Sequence, residues 1–173
     1  MAESSAGRPT GRIERLAPHH DRRTFSSGQP LLDDFIRHRA GQYDRRDLGR
    51  TYVLAAGDDP RVQGYYTLAS GALGFDTIPD EWSKRLPQHH IPAVHLGRLA
   101  VDESMQGQGL GGDLLFHALL TAAKISEHVG VYAVDVFAIN AQAAAFYQRF
   151  GFLPLNDDPF HLFLPVKLVR QLL

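Results

Sequence analysis

Apolar positions change period several times along the 173 residues, and each change marks an expected element. After Ser26-Ser27-Gly28, the segment starting at Pro30 has the phase of an amphipathic helix. Pro30 suits a first turn, Leu31, Phe35 and Ile36 form the expected buried stripe, and the arginines form the outer face. The helix is expected to end between Tyr43 and Asp47. Thr51 to Ala56 is β-branched and apolar, Gly57-Asp58-Asp59-Pro60 is a turn cluster, and Val62 to Ser70 is rich in Tyr, Val and Thr, which together predict a hairpin. Residues 74 to 92 hold three prolines and predict an irregular connection with a helical turn near Asp80 to Arg85.

Ala93 to Val101 reads as the next strand and Asp102 to Gly109 as a polar, glycine-rich loop. A helix from about Gly109 is expected to bury Leu110, Leu114, Ala118, Ala122, Ile125 and Val129, with Gly130 as its stop. Val131 to Phe137 predicts a strand. Asn140 is a candidate cap for a helix from Ala141 to Phe150 that Gly151 ends. Phe160 to Leu173 predicts a short strand and a short terminal helix. The order helix, hairpin, strand, helix, strand, helix, strand implies an α/β (α+β) fold, a mixed sheet with helices on its faces. Residues 1–12 are expected to be a disordered lead-in and 13–173 a single domain.

Composition narrows the chemistry. Hydrophobic residues make up 44% and charged residues 21%, a globular mixture, and no apolar run approaches the length of a membrane span. With no cysteine, disulfides, thiolate metal sites and a cysteine nucleophile are excluded. No secretory signal is read at the N-terminus, and the expected location is cytoplasmic. The net charge of −1 makes no case for nucleic acid by itself, but ten arginines fall between residues 8 and 50. These form either a solvated, partly paired helix surface or a phosphate-binding face. The pair His89-His90 lacks further ligands at any metal-binding spacing, so no metal site is expected.

The strongest candidate chemistry is the loop Gln106-Gly107-Gln108-Gly109-Leu110-Gly111-Gly112 between a strand and a helix. Glycines there let the backbone approach a ligand, and the free amides of a helix start favour phosphate oxygens. A Walker loop is excluded, because no Gly-Lys-Ser or Gly-Lys-Thr is present after it. The dinucleotide pattern G-x-G-x-x-G is present as Gly107, Gly109 and Gly112, but its context is wrong. Five residues separate it from Val101, too little chain remains after it, and Asp135 lies inside its strand instead of ending it.

Gln106-x-x-Gly109-x-Gly111 resembles the acetyl-CoA signature of the GNAT acetyltransferase superfamily. Asn140-x-x-Ala143-x-x-Phe146-Tyr147-x-x-x-Gly151-Phe152 resembles that superfamily's later motif. The resemblance implies a GNAT-like mixed, mostly antiparallel twisted sheet flanked by helices on both faces. It implies an acyltransferase whose co-substrate is acetyl-CoA (coenzyme A), with the pyrophosphate on backbone amides from Gln106 to Gly112. The pantetheine arm would pair with the strand Leu99, Ala100 and Val101, and Asn140 joins the cofactor-binding set. Tyr147 is the expected catalytic residue: a phenol with a pKa of about 10 stays protonated at neutral pH and can protonate the departing thiolate. Its alternative is a core aromatic, and Phe146 is expected to pack only. The general base is open among His95, Asp33, Glu103 and water.

A closer resemblance, spanning Ile13 to Leu173, is to the GNAT toxins of bacterial toxin–antitoxin pairs. It rests on Leu96-Gly97-Arg98-Leu99-Ala100-Val101-Asp102, Phe25-Ser26-Ser27-Gly28, Gly64-Tyr65-Tyr66-Thr67-Leu68-Ala69 and Arg85-Leu86-Pro87 ahead of Ile91-Pro92. It implies acetylation of the α-amino group of aminoacyl-tRNA, a block of translation, and a separately encoded ribbon-helix-helix antitoxin. An α-amino group with a pKa near 8 is more often neutral at pH 7 than a lysine, which suits a site without an obvious strong base. Arg22, Arg23, Arg45 and Arg46 are the candidate tRNA face. The alternative is a general N-acetyltransferase acting on a small amine or a protein; a module that holds coenzyme A without turnover is disfavoured by Tyr147. No membrane partner is expected, and homodimer formation is left open.

Overall fold

The computed structural model describes residues 11–173. The elements run β1 (Gly11–Arg15), α1 (Pro30–Asp34), a π-helical turn (Phe35–Arg39), α2 (Ala40–Arg45), β2 (Arg50–Ala56), β3 (Val62–Leu73), a 3-10 turn (Phe75–Thr77), α3 (Asp80–Ser83) and β4 (Ile91–Val101). A second 3-10 turn (Glu103–Met105), α4 (Leu110–Ile125), β5 (Ala133–Phe137), α5 (Ala141–Arg149), β6 (Leu153–Pro154), β7 (His161–Pro165) and α6 (Val166–Leu172) complete the chain. Among the described residues the strands form one sheet in the order β1-β2-β3-β4-β5-β7-β6. Pairs β1–β2, β5–β7 and β6–β7 are antiparallel and β4–β5 is parallel, so the sheet is mixed. The parallel pair requires a long crossover, which α4 supplies.

Internal contacts divide the chain into two compact units, one of residues up to 67 with 98–115, the other of 68–97 with 116–173. In the first, β1 pairs with β2 from Gly11↔Ala56 to Arg15↔Tyr52. The expected lead-in over 1–12 otherwise lies outside the described residues, but Gly11 and Arg12 already belong to this strand. Five residues of mostly polar sequence carry too little periodicity to announce a strand; β2 supplies the pairing that makes one.

The core of this unit joins Phe25, Phe35, Ile36, Ala40, Val53, Val62, Tyr65 and Ala100. Tyr65 donates its hydroxyl to the Leu32 carbonyl at 2.7 Å, and Phe25 meets its ring edge-on. Leu31, expected in the buried stripe, is instead 85% exposed. The inward position is held by Asp33, whose carboxylate accepts from the Ser27 amide at 2.8 Å and the Ser27 hydroxyl at 2.6 Å. The π turn, closed by the Ala40 amide on the Phe35 carbonyl, shifts the helical phase of α2 relative to α1. Arg22 reaches the adjacent Ile36 carbonyl at 3.1 Å.

In the second unit the β4–β5 pairing runs from Ala93↔Ala133 to Leu96↔Val136, and β7 closes on β5 from Ala133↔Pro165 to Phe137↔His161. Leu73, Ile78, Ile91, Ala93, Ala133, Leu155 and Phe163 form its core, with Trp82 edge-on to Phe163. The helix α4 stops at Ile125, ahead of the expected stop at Gly130, and Val129 is 59% exposed. A tighter turn over residues 126–129 replaces the last expected turn, with the His128 and Val129 amides both on the Ile125 carbonyl. No helix among the described residues is long and apolar enough to cross a membrane.

Candidate functional site

The loop after β4 is organised by its own side chains. Asp102 accepts from the Ser104 amide and hydroxyl at 3.0 and 2.7 Å, capping the 3-10 turn, and from the Ser26 amide at 3.0 Å. Burial pushes its carboxyl up, but the hydrogen bonds from Ser104 and Ser26, with the Arg61 charge, outweigh it and hold the group below the usual carboxylate range. Gln106 donates its amide to the Ser27 and Val101 carbonyls, both at 2.9 Å, so this side chain ties the loop to the end of β4 and to the segment ahead of α1. Gly107 and Gly109 have φ of +81° and +82°, a region closed to β-branched residues.

The helix starts at Leu110, which puts Gly111 and Gly112 in its first turn and not in the loop. The first amide with an intrahelical partner is that of Asp113, on the Gly109 carbonyl at 3.2 Å. The amides of Leu110, Gly111 and Gly112 are therefore the unpaired donors of a helix start, at the positive end of its dipole. Gln108 is exposed between the two positive-φ glycines. Upstream, β4 pairs with β5 only as far as Leu96, and Leu99, Ala100 and Val101 continue the strand beyond that pairing.

In the other unit Asn140 caps α5, its side-chain oxygen accepting from the Ala143 amide at 2.9 Å. Tyr147 lies in the same helix, 5% exposed, packed against Phe146 and Phe152 with ring centres 5.2 and 5.5 Å away. Phe146 also packs on Phe150. Among the described residues nothing hydrogen-bonds the Tyr147 hydroxyl, and burial pushes its pKa well above the ordinary phenol value. It is a proton donor without an internal acceptor.

The four candidate tRNA-facing arginines separate. Arg22 is half-buried on the Ile36 carbonyl, and Arg23 is exposed but bound by both oxygens of Asp21 at 3.1 Å. These two line a groove of about 580 Å³ with His19, Arg37 and His38. Arg45 and Arg46, exposed at the end of α2, have no acidic partner among the described residues and do not line it. Arg15, Arg39, Arg50 and Arg61 are paired with Asp44, Asp34, Asp44 with Asp47, and Asp59. With Arg12 on Glu14 and Arg23 on Asp21, five of the nine described arginines between residues 12 and 50 have an acidic partner.

Of the candidate bases, Asp33 is occupied by Ser27, and Glu103 is exposed. His95 differs: its Nδ1 lies 3.1 Å from Asp135 Oδ2, and that oxygen also meets His161 Nε2 at 2.8 Å. His161 Nδ1 lies 2.9 Å from Asp157 Oδ2. Sequence reasoning missed this cluster. Its one signal was Asp135, a charged residue inside an apolar strand, which burial forbids without partners.

Glu14, His19 and His20 bring three ligand atoms within 4.8 Å of one another. The Ala17 amide donates to His20 Nδ1 at 2.9 Å, so the ring proton sits on Nε2 and faces Glu14 Oε1 at 3.0 Å. With one nitrogen accepting and the other protonated, His20 has no lone pair for a metal. His89 and His90 are exposed, and His89 Nδ1 contacts the His90 carbonyl.

The acetyltransferase (GNAT) domain family matches residues 47–154. A tRNA-acetylating toxin of Mycobacterium tuberculosis is 37% identical over 159 residues, covering 92% of this chain and 94% of that protein. The solved structure of AtaT complexed with acetyl-methionyl-tRNAfMet superposes with a TM-score of 0.88 at 34% identity, covering 94% of this chain and 98% of that one. A tyrosine-to-phenylalanine AtaT mutant toxin, bound to the C-terminus of the antitoxin AtaR and acetyl-CoA, has a TM-score of 0.80 at 32% identity, over 94% and 97% of the two chains. The sheet order, the glycine-rich helix start and these likenesses agree, and the chain belongs to the GNAT acetyltransferases, enzymes whose co-substrate is acetyl-CoA.

Proposed function

We propose that this chain transfers the acetyl group of acetyl-CoA to the α-amino group of aminoacyl-tRNA, with Tyr147 as the general acid. The observation that carries the mechanism is Tyr147, a buried phenol kept protonated by burial, whose hydroxyl has no acceptor among the described residues. The substrate rests on relatives that acetylate tRNA. Gly107 and Gly109 turn the loop, Gln106 ties it to the end of β4, and the free amides of Leu110, Gly111 and Gly112 take the pyrophosphate oxygens. Leu99, Ala100 and Val101 offer a strand edge to the amide-bearing arm of the donor. Asn140 contributes by fixing the start of α5 and so the height of Tyr147.

The substrate amine attacks the thioester carbonyl directly; with no cysteine in the chain, a thioester enzyme intermediate is excluded. The C–N bond forms, the C–S bond breaks, and Tyr147 passes its proton to the sulfur. Arg45 and Arg46, exposed and without an acidic partner among the described residues, offer cations to tRNA phosphates, and Arg22 and Arg23 line a groove. A separately encoded antitoxin of the ribbon-helix-helix type would hold the toxin inactive, as AtaR accompanies AtaT. The test is incubation with labelled acetyl-CoA and total charged tRNA. Label on the aminoacyl nitrogen is expected; label confined to a small amine or a protein lysine overturns the substrate and leaves the enzyme class standing.

A further inference from the structure

We propose that His95 is the proton acceptor for the substrate amine, and that Asp135, His161 and Asp157 are positioning residues that hold its ring with Nε2 open. The inference rests on the amine-acetylation reading above. Its basis is a chain of four side chains from three separate segments of one compact unit: Asp157 to His161, His161 to Asp135, and Asp135 to His95. Asp135 and His161 are buried, at 5% and 7% exposure, whereas the His95 side chain is 33% exposed. The buried members are structural anchors, and the open end is His95.

Hydrogen-bond geometry assigns the protons. Ionised carboxylates only accept, and both nitrogens of His161 face one, so with both aspartates ionised the proposal assigns its ring both protons. Phe137 stacks on that ring at 3.8 Å with planes 13° apart, a favourable partner for a flat cation. Asp135 Oδ2 then accepts from His95 Nδ1–H as well, which leaves Nε2 of His95 with its lone pair outward. An imidazole oriented by a carboxylate in this way is a general base whose protonated form the same carboxylate stabilises.

Position supports the role. His95 pairs with Asp135 in the β4–β5 register, one residue before that pairing ends and four before Leu99, where the free strand edge assigned to the donor begins. Among the described residues, the ionisable groups bonded in the cluster with His95 are Asp135 from β5, His161 from β7 and Asp157 from the loop before it, and Gly71 of β3 lies beside His95. The step balances: His95 Nε2 takes one proton from the substrate ammonium, and the freed amine forms the C–N bond as the C–S bond breaks. Tyr147 protonates the sulfur, the second nitrogen proton restores the phenol, and His95 returns its proton to water.

The experiment has two arms. Nitrogen NMR of the full-length protein labelled at histidine should show His161 protonated at both nitrogens and His95 as the Nδ1–H tautomer, the minor form of free imidazole. His95 in the ordinary Nε2–H form would overturn the proposal. In the second arm, H95Q should lower kcat/KM for charged tRNA about 100-fold at pH 6 with an unchanged melting temperature. The deficit should shrink towards pH 8.5, as the substrate amine loses its proton unaided. D135N should shift His95 to the Nε2–H tautomer and reproduce part of that pH-dependent loss. A loss of equal size at every pH, or no loss, would overturn the catalytic role. If wild-type protein acetylates no charged tRNA, the proposed substrate falls, and the tautomer measurement still decides this inference.

Discussion

The glycine loop at the start of α4 and the polar cluster around Asp135 are built from opposite materials. The loop is nearly all backbone: two positive-φ glycines, three unpaired helix-start amides, and one glutamine that ties it to neighbouring segments. Its positive potential comes from peptide dipoles and does not titrate. The cluster is all side chain, with two histidines and two aspartates joined through three hydrogen bonds. What it does depends on where its protons sit. One region is suited to holding a donor of fixed charge, the other to a substrate that must lose a proton.

The contrast can be broken most severely at Asp135. D135A removes the oxygen that both histidines share and, on the proposed assignment, leaves a buried His161 cation against a single carboxylate. A cost of about 3–5 kcal/mol is expected, read as a lower urea midpoint; a change below about 1 kcal/mol would mean that the cluster is not charged as assigned. No single side-chain deletion in the glycine loop should destabilise the fold as much.

Tyr147→Phe separates chemistry from stability. Loss of the general acid should lower kcat about 100-fold or more with acetyl-CoA affinity unchanged. The hydroxyl has no internal acceptor among the described residues, so the melting temperature should change little. Wild-type kcat where chemistry is rate-limiting would return Tyr147 to a packing role.

Gly109→Val attacks the backbone device. At φ of +82° a β-branched residue is strained, and the loop must move. Acetyl-CoA binding by calorimetry should weaken at least about tenfold, or about 1.4 kcal/mol. Unchanged affinity in a folded variant would remove the pyrophosphate from this loop.

The smallest effect is expected at the arginines. Reversing Arg45 and Arg46 together should flatten the salt dependence of tRNA binding by about two units of slope at most, since neither cation has an acidic partner among the described residues. Reversing Arg23 alone should change it less, because Asp21 already neutralises that guanidinium. An equal or larger effect at Arg23 would move the tRNA path into the groove that Arg22, Arg23 and Arg37 line.

The local structure of much of the candidate site was legible where neighbouring residues set it. Gly107, Gly109, Asn140 and Tyr147 each stand at a turn, a cap or a helix position that neighbouring residues define, and the motif order carried the family. The helix from Pro30 is legible in extent but not in its face, because a π turn is a change of phase that hydrophobic spacing cannot announce. Arg22 illustrates the same limit: as a letter it is a surface charge, and in the fold it is a donor to the Ile36 carbonyl.

The sequence by itself determined the elements with strong period, the glycine turn and the α5 cap, since these depend on residues within one or two turns of each other, and its two motifs carried the resemblance that implied the enzyme class. Tertiary structure alone decided which arginines are paired, that Asp33 is a loop anchor, and that His95, Asp135, Asp157 and His161 form one hydrogen-bonded unit. The separations in that last group span 40 residues from His95 to Asp135 and 26 from Asp135 to His161. Only strand pairing closes such distances, and a side chain's proton partners exist only once the strands are paired.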